Sequence, residues 1–185
     1  MTYIIGIDPS WSSCGIVRGT EEYMETNISV ELPKDNLDLT LSIFNDTLNP
    51  MVNADNFYII EDYSRGGAFQ NPNSLISMAE LRGVLNVFLG IVTKKENCKI
   101  IYVAPMQLKK FITGLGKGNK SKIMQQVLKR WNFEAENDDI ADAYGLWQIG
   151  RYLSKPNFIN DIDLIKPQKE VLNKLYEKYE NILKI

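Results

Sequence analysis

The chain has 185 residues, 44% hydrophobic and 24% charged, which is typical of one globular domain with a core of its own. It contains no histidine, which excludes Ser-His-Asp and Cys-His nucleophiles and histidine-ligated zinc, and its two cysteines, Cys14 and Cys98, favour a reducing compartment over a disulfide framework. The net charge is −2, and any ionic chemistry must come from carboxylates, lysines, hydroxyls and bound metal.

The first thirty residues predict three strands in an antiparallel meander. Tyr3–Asp8 is an apolar, β-branched run that stops at the turn residues Pro9 and Ser10. Cys14–Arg18 and Glu22–Val30 are predicted to pair back on it. The opening run has no basic residues before it, and no apolar run reaches the roughly 18 residues of a membrane span. We therefore expect a cytoplasmic protein with neither a signal peptide nor a membrane helix.

The middle of the chain predicts helices and strands in alternation. Leu37–Leu48 has apolar residues at positions 37, 41, 44 and 48, the spacing of a helix face. Phe57–Ile60 is a second buried strand, and Arg65–Asn73 is a loop by composition. Ser74–Leu89 is a helix with Ser74 as its cap. Because this helix is apolar on more than one side, burial in the core is the favoured interpretation.

The last third of the chain predicts one strand and four helices. They are Lys99–Val103, Pro105–Ile112, Lys120–Trp131, Asp138–Tyr152 and Pro167–Leu183. Ile123, Val127 and Leu128 are expected to point inward from the second of these helices. The complete order of strands, helix, strand, helix, strand and helices predicts an α/β fold with a mixed sheet.

Four carboxylates stand out by position. Asp8 and Glu61 each end an apolar strand, and Asp139 and Asp142 lie three apart on one helix face. A carboxylate at the end of a buried strand is costly unless something satisfies it. Hard oxygen ligands suit Mg²⁺ or Mn²⁺. Two such ions about 4 Å apart can activate a water and stabilise the leaving oxygen of a phosphodiester without any histidine.

Each of these carboxylates has a structural alternative. Asp8 is a turn former before Pro9, and Glu61 with Asp62 could end a solvated strand. The acidic residues that open the helix 138–152 also favour a helix N-terminus through its dipole. The joint occurrence of all of them at strand ends and on one helix face favours a site.

The basic residues are concentrated in one segment. Residues 94–130 hold ten lysines and arginines against one glutamate, a net charge of +9, which leaves −11 for the rest of the chain. Such a polarised chain can hold a polyanion on one side. Solvated helix faces are the alternative explanation.

Six motifs in order resemble those of a known family, the RuvC Holliday-junction resolvases of the ribonuclease H-like superfamily. Each is weak alone, but the ordered set, spread over residues 2–154, is specific. The motifs are GIDPS at 6–10, IIED at 59–62, ELRGV at 80–84, VAPMQLKK at 103–110, TGLGKGNKSK at 113–122 and DDIADAYGL at 138–146.

The resemblance implies a fold, a domain organisation and an activity. The fold is a ribonuclease H-like mixed sheet of about five strands with an initial antiparallel meander, flanked by helices. Residues 1–155 form the nuclease domain, and 156–185 form a C-terminal extension whose amphipathic helix packs on the same domain. The activity is metal-dependent nicking of four-way and other branched DNA by a homodimer, with Mg²⁺ as cofactor and Mn²⁺ as a substitute. The helix that starts at Ser74 can pair across the dimer.

The resemblance also implies site residues. The catalytic metal ligands are Asp8, Glu61, Asp139 and Asp142. The family's aromatic wedge has Ser64 in its simplest match here, which leaves Tyr63 or Phe69 as substitutes. Together with the basic residues of the glycine loop, the DNA-binding candidates are Tyr63, Arg65, Phe69, Lys109, Lys117, Lys120 and Lys122.

Alternative functions remain open at this point. A ribonuclease H-like nuclease acting on RNA or RNA–DNA hybrids would use the same carboxylates, and a catalytically silent junction-binding protein would keep the basic segment. Sugar kinases and actin-like ATPases share the opening G-I-D strand but need two such domains, for which 185 residues are too few. The residues leave open whether a branch-migration helicase is a partner, and the composition and the tail fit a phage-encoded or low-GC bacterial member.

Overall fold

The fold is a five-stranded sheet with helices on both faces. A computed structural model describes residues 2–48, 55–62, 72–92, 98–116, 120–155 and 160–183. In these residues the elements are β1 (Thr2–Asp8), β2 (Cys14–Gly19), β3 (Met24–Val30), α1 (Leu37–Leu48), β4 (Asp55–Glu61), α2 (Pro72–Val92), β5 (Cys98–Val103), α3 (Pro105–Thr113), α4 (Lys120–Trp131), α5 (Asp138–Leu153) and α6 (Lys166–Leu183).

The sheet is mixed, as the sequence predicts. Its strand order is β3-β2-β1-β4-β5. The first three strands form an antiparallel meander, whereas β4 runs parallel to both β1 and β5. Ile7 of β1 lies opposite Ile60 of β4. The next residues along these two strands, Asp8 and Glu61, therefore end at the same edge of the sheet.

Alternate residues of the central strands enter two separate core layers. Ile4 and Ile59 belong to the layer that contains the buried residues of α3, α4, α5 and α6. Ile5, Ile7 and Ile60 belong to the opposite layer, against α1 and α2. The sheet therefore separates α5 from α2, and the face on which a strand residue lies decides which of these helices it meets.

Helix α5 lies almost in backbone contact with the sheet. A Cβ added at Gly6 would lie 2.2 Å from the carbonyl oxygen of Ala143, and one at Gly15 would lie 2.2 Å from that of Asp139. On the helix side, a Cβ at Gly150 would lie 2.5 Å from Cγ2 of Ile4. Any larger residue at these positions would push the helix away, so the glycines fix how deeply α5 sits against β1 and β2.

Several predicted details are wrong. Leu128 is 45% exposed, although it was expected to point inward, and Leu37, the first residue of the apolar spacing in α1, is 54% exposed. Periodicity predicts which side of a helix is apolar, but not how much of that side the core covers. In the first turn of α1, the buried residue is Thr40. Ser74 is not the cap of α2, because that helix begins at Pro72.

Helix α2 is buried on only one side. Leu81, Leu85 and Leu89 lie in the core, whereas Ile76 and Val87 are 57% and 59% exposed. By length and composition, its Asn73–Ile91 stretch, with a mean hydropathy of 1.4, is long and apolar enough to cross a membrane. This stretch is not an uninterrupted apolar run, because it contains Glu80 and Arg82, and a core helix passes the same test of length and composition.

Candidate active site

Three carboxylates from separate parts of the chain converge at one edge of the sheet. Asp8 ends β1, Glu61 ends β4, and Asp142 lies in the second turn of α5. One carboxylate oxygen from each of them lies within 4.8 Å of the other two. Asp8 and Glu61 are only 3% and 5% exposed, so both charges are held away from bulk solvent.

The strand register explains the convergence. Asp8 follows Ile4 and Gly6 on one face of β1, and Glu61 follows Ile59 on the same face of β4, since side chains alternate along a strand. That face is covered by α5, which the glycine contacts hold close. The carboxyl ends of adjacent parallel strands are where sites form in open α/β sheets.

The electrostatics of this cluster favour a bound cation. Burial and the nearby charge of Glu61 raise the pKa of Asp142 to about 8, and the charge of Lys109 opposes this rise. Oδ1 of Asp142 is buried and has no hydrogen-bond partner among the described residues. Three carboxylate oxygens, with Oδ1 of Asp142 lacking a hydrogen-bond partner among the described residues, fit the ligand set of a divalent cation. Such a cation would relieve the repulsion between the carboxylates.

Asp139 lies one turn before Asp142 on α5 and is half-buried. Its charge contributes to raising the pKa of Asp142, which places it near the cluster. It is not among the three residues whose oxygens lie within 4.8 Å of one another, so its role as a ligand stays a prediction. Sequence reasoning missed the cap of this helix, Asn137, whose side chain accepts a hydrogen bond of 2.9 Å from the backbone of Ile140.

The two lysines of α3 have different surroundings. Lys109 is close enough to Asp142 to lower the pKa of that carboxyl. Lys110 forms an ion pair of 2.5 Å with Glu170 of α6. Lys122 is half-buried on α4. Of the other DNA-binding candidates, Lys120 is described only in its backbone, and the following lie outside the described residues: Tyr63, Arg65, Phe69 and Lys117.

Asp62, next to the cluster, is a buried residue that sequence reasoning did not assign to any site. It is 6% exposed and pairs with Arg82 of α2. The alternative that Glu61 and Asp62 end a solvated strand is therefore wrong. The signal in the sequence was the alternation itself, which predicts that two successive carboxylates face opposite layers.

The chemistry of the site does not include a cysteine nucleophile. Neither cysteine forms a disulfide, and Cys14 is fully buried near the acidic residues. Burial raises the pKa of the Cys14 thiol to about 12, and the charges of Asp8 and Asp139 act in the same direction. A thiol with such a pKa stays protonated and unreactive at neutral pH.

Comparison with known families gives a match over most of the chain. Residues 4–147 match the family model described as crossover junction endodeoxyribonuclease RuvC. A protein of that description from Fusobacterium nucleatum is 29% identical over 194 aligned positions, which cover 98% of both chains. One from Prochlorococcus marinus is 28% identical and covers 81% of this chain and 98% of its own.

Solved structures share the fold. The Thermus thermophilus RuvC structure superposes with a TM-score of 0.57 at 12% identity and covers 96% of each chain. The T. thermophilus RuvC in complex with Holliday junction substrate gives a TM-score of 0.57 at 14% identity, over 80% of this chain and 91% of that one. The yeast mitochondrial Holliday junction resolvase gives 0.53 at 12% identity, over 97% and 82%.

Proposed function

The chain belongs to the crossover junction endodeoxyribonuclease RuvC family, and from this membership we propose that it resolves four-way and other branched DNA junctions by paired, metal-dependent nicks. The observation that carries the proposal is the convergence of Asp8, Glu61 and Asp142 at the shared end of β1 and β4. This convergence gives the endonuclease assignment a site that needs no histidine.

In this proposal, Asp8, Glu61 and Asp142 hold the metal, and Asp139 joins them from the preceding turn of α5. Mg²⁺ is the proposed ion, with Mn²⁺ as a substitute, because the ligands are carboxylate oxygens. When bound, a pair of such ions supplies an activated water and stabilises the leaving oxygen of the scissile phosphodiester. The chain's own part is to present fixed oxygens from two strand ends and one helix.

Lys109 is proposed to contact a DNA phosphate beside the site. Its charge acts on Asp142, so a phosphate near the metal ligands would also lie near this lysine. Lys122 and the backbone amides at the start of α4 are proposed to hold a second phosphate. The proposed contacts of Tyr63, Arg65, Phe69, Lys117 and Lys120 are supported by the sequence motifs alone.

A homodimer is proposed through the exposed face of α2. Ile76, Gly83, Val87 and Gly90 lie along one side of the helix and are exposed. A Cβ added at either glycine would meet nothing within 4 Å, so a second helix could approach closely there. Two opposed nicks in a two-fold junction need two equivalent sites, which a symmetric pair of subunits supplies.

Residues 1–155 are proposed as the nuclease domain and 156–185 as an extension packed on it. The support is that Val171, Leu172 and Leu175 of α6 belong to the same core layer as α5. A cytoplasmic location is proposed because the two cysteines do not form a disulfide and the chemistry acts on DNA.

The test is a strand-mapped nicking assay with purified protein on a four-way junction, a flap and an RNA–DNA hybrid, in Mg²⁺, Mn²⁺ or Ca²⁺. We expect paired nicks on the four-way junction in Mg²⁺ or Mn²⁺. Asp8→Asn should retain junction binding and lose cutting at least a thousandfold, because it removes a ligand charge. The matched control is Asp35→Asn, an exposed loop carboxylate, which should cut like the wild type.

Two outcomes would replace the proposal. Faster cleavage of the hybrid than of the junction would assign the chain to the nucleases acting on RNA–DNA hybrids. Tight junction binding by a wild type that cuts none of the three substrates would make it a silent junction-binding protein.

A further inference from the structure

We propose that Arg82 is a positioning residue for the metal site. By pairing with Asp62 and stacking on Tyr102, it fixes the end of β4 so that Glu61 faces the metal and Asp62 does not. The inference rests on the proposed metal-dependent function, and it adds a residue that acts on the site through the position of Glu61.

The starting point is that Glu61 and Asp62 are successive carboxylates with different surroundings. Glu61 shares the strand face of Ile59, which meets α5. Asp62 comes one residue later, and its backbone N–H donates to the carbonyl oxygen of Val103 at 2.7 Å. The alternation of the strand therefore continues through residue 62 and directs its side chain to the layer of α2.

Arg82 meets Asp62 in that layer. Its Nη1 lies 2.5 Å from Oδ1 of Asp62. Its guanidinium carbon lies 4.1 Å from the centre of the Tyr102 ring. A buried carboxylate needs a paired charge, and a cation held between a carboxylate and an aromatic face is fixed from two sides. The pair therefore holds Asp62 away from the oxygens of the metal site.

Tyr102 is itself held by hydrogen bonds from its side chain and from its backbone. Its hydroxyl donates to Oδ1 of Asn86, which is also on α2, at 2.7 Å. Its backbone N–H donates to the hydroxyl of Tyr179, and that hydroxyl donates back to the carbonyl oxygen of Tyr102, both at 3.2 Å. Tyr179 lies at the kink of α6 and covers the outer edge of β5. The surface under Arg82 is thus held by α2 and α6 together.

The space between the side chains of Arg82 and Tyr102 and the proposed metal ligands is small. A cavity of about 20 Å³ is lined by residues that include Pro9, Glu61, Arg82 and Tyr102. Pro9 directly follows Asp8, so the cavity adjoins the ends of both ligand-bearing strands. Removing the Arg82 side chain would enlarge this space and free the end of β4, which would let Glu61 leave its position relative to Asp8.

The test compares three variants of the full chain. Arg82→Met keeps most of the side-chain length without the charge, and Arg82→Lys keeps the charge. The control, Glu80→Gln, is on the same helix as Arg82 and breaks the half-exposed ion pair of 3.1 Å between Glu80 and Lys34 of the loop before α1. Mn²⁺ affinity is measured by calorimetry without DNA, next to the free energy of unfolding in urea. A merely structural role would move only the second quantity.

We expect Arg82→Met to weaken Mn²⁺ affinity by about ten- to a hundredfold, as for other residues that orient metal ligands. Arg82→Lys should recover most of that loss, and Glu80→Gln should stay within about twofold of the wild type. Junction nicking by Arg82→Met should recover as the Mn²⁺ concentration is raised, because the ligands themselves are intact.

An Arg82→Met protein that is folded and binds Mn²⁺ like the wild type would overturn the proposal. If that variant does not fold, the double variant Asp62→Asn/Arg82→Met removes the unpaired buried charge and carries the same test, with unchanged Mn²⁺ affinity again the refuting result. A wild type that binds no Mn²⁺ would instead refute the proposed metal site, so the two failures are distinguishable.

Discussion

At the residue scale, Asp142 shows a conflict between charge and burial. Burial and Glu61 raise the pKa of its carboxyl to about 8. In the absence of metal, the folded protein therefore keeps a proton on Asp142 at neutral pH that the unfolded chain has lost. Between pH of about 4 and 8 the folded state binds more protons at this residue, so its contribution makes the protein less stable as pH rises.

Asp142→Asn is therefore expected to stabilise the metal-free protein at pH 8, by about 1–3 kcal/mol, while abolishing cutting. The gain should shrink at pH 5, where the wild-type carboxyl is already neutral. Urea unfolding at both pH values measures the difference. Asp35→Asn, in an exposed loop, is the control and should show no such pH dependence. A variant less stable than the wild type at pH 8 would contradict the assignment of a buried, repelled charge.

Metal binding should depend on pH for the same reason. A divalent ion needs the ionised carboxylate, so binding must displace the proton of Asp142. We expect the affinity for Mg²⁺ to rise up to about tenfold per pH unit between pH 6 and 8 and to level off above 8. Calorimetry in two buffers of different ionisation enthalpy should show about one proton released at pH 7. An affinity that does not change between pH 6 and 8 would refute the coupling.

At the scale of elements, the two sides of α2 have different surroundings. Its buried side contributes Leu81 and Leu85 to the core and Arg82 to the pair with Asp62. Its outer side exposes Ile76 and Val87. Exposed apolar patches are common at interaction sites, which supports the proposed dimer contact on this side of α2. A subunit contact there would lie one helix diameter from the residues that hold the end of β4.

Val87→Glu is expected to produce a monomer, because it places a charge in the centre of the proposed helix contact. Sedimentation velocity should show the wild type as a dimer and the variant at half that mass. Leu39→Glu makes the same change at a 48%-exposed residue of α1 and should remain dimeric. If Val87→Glu and Leu39→Glu sediment alike, the α2 face is not the dimer contact. Nicks by the monomer should no longer be paired in opposing strands.

At the scale of the whole molecule, charge is divided along the chain. Residues 94–130 carry +9 and the remainder −11. The structure shows that these basic residues are not equivalent, since Lys110 is already paired with Glu170 and Lys109 lies near the carboxylates. Only part of the sequence charge is therefore available for phosphates.

Junction binding should fall steeply with salt, because phosphate contacts release counterions. Lys109→Gln is expected to reduce the slope of log affinity against log salt concentration by about 1. Lys110→Gln, at the neighbouring lysine held by Glu170, should leave the slope unchanged. Fluorescence anisotropy with a four-way junction in Ca²⁺, from 50 to 300 mM salt, measures both. A flat salt response of the wild type would remove the phosphate contacts from the proposal.

Much of the fold could be predicted from local patterns. The bounds of α1 and α4 match the predicted helices residue for residue, because apolar periodicity and polar flanks define both. The other predicted elements agree with the structure within a few residues. Leu128 was assigned to the wrong side because its exposure depends on where the underlying core layer ends, and a local sequence pattern does not contain that information.

The candidate site also contains residues that the sequence predicts and contacts that it does not predict. Asp8 and Glu61 could be found because each ends an apolar strand, and Asp142 because of the motif around it. Arg82 could not be connected with Asp62, since nothing in either segment indicates that α2 crosses behind the end of β4. The contact between Arg82 and Asp62 depends on how α2 packs against the folded sheet.

The sequence by itself determined the kind of chemistry and the alternation of the strands. The absence of histidine excluded Ser-His-Asp and Cys-His nucleophiles, and the two successive acids after Ile60 had to face opposite layers. Only the tertiary structure decided that the acids meet. The parallel register of β1 with β4 brings Asp8 beside Glu61, and the glycines under α5 bring Asp142 to them. These contacts join residues far apart in the chain, and their geometry is set by packing that involves every layer of the fold.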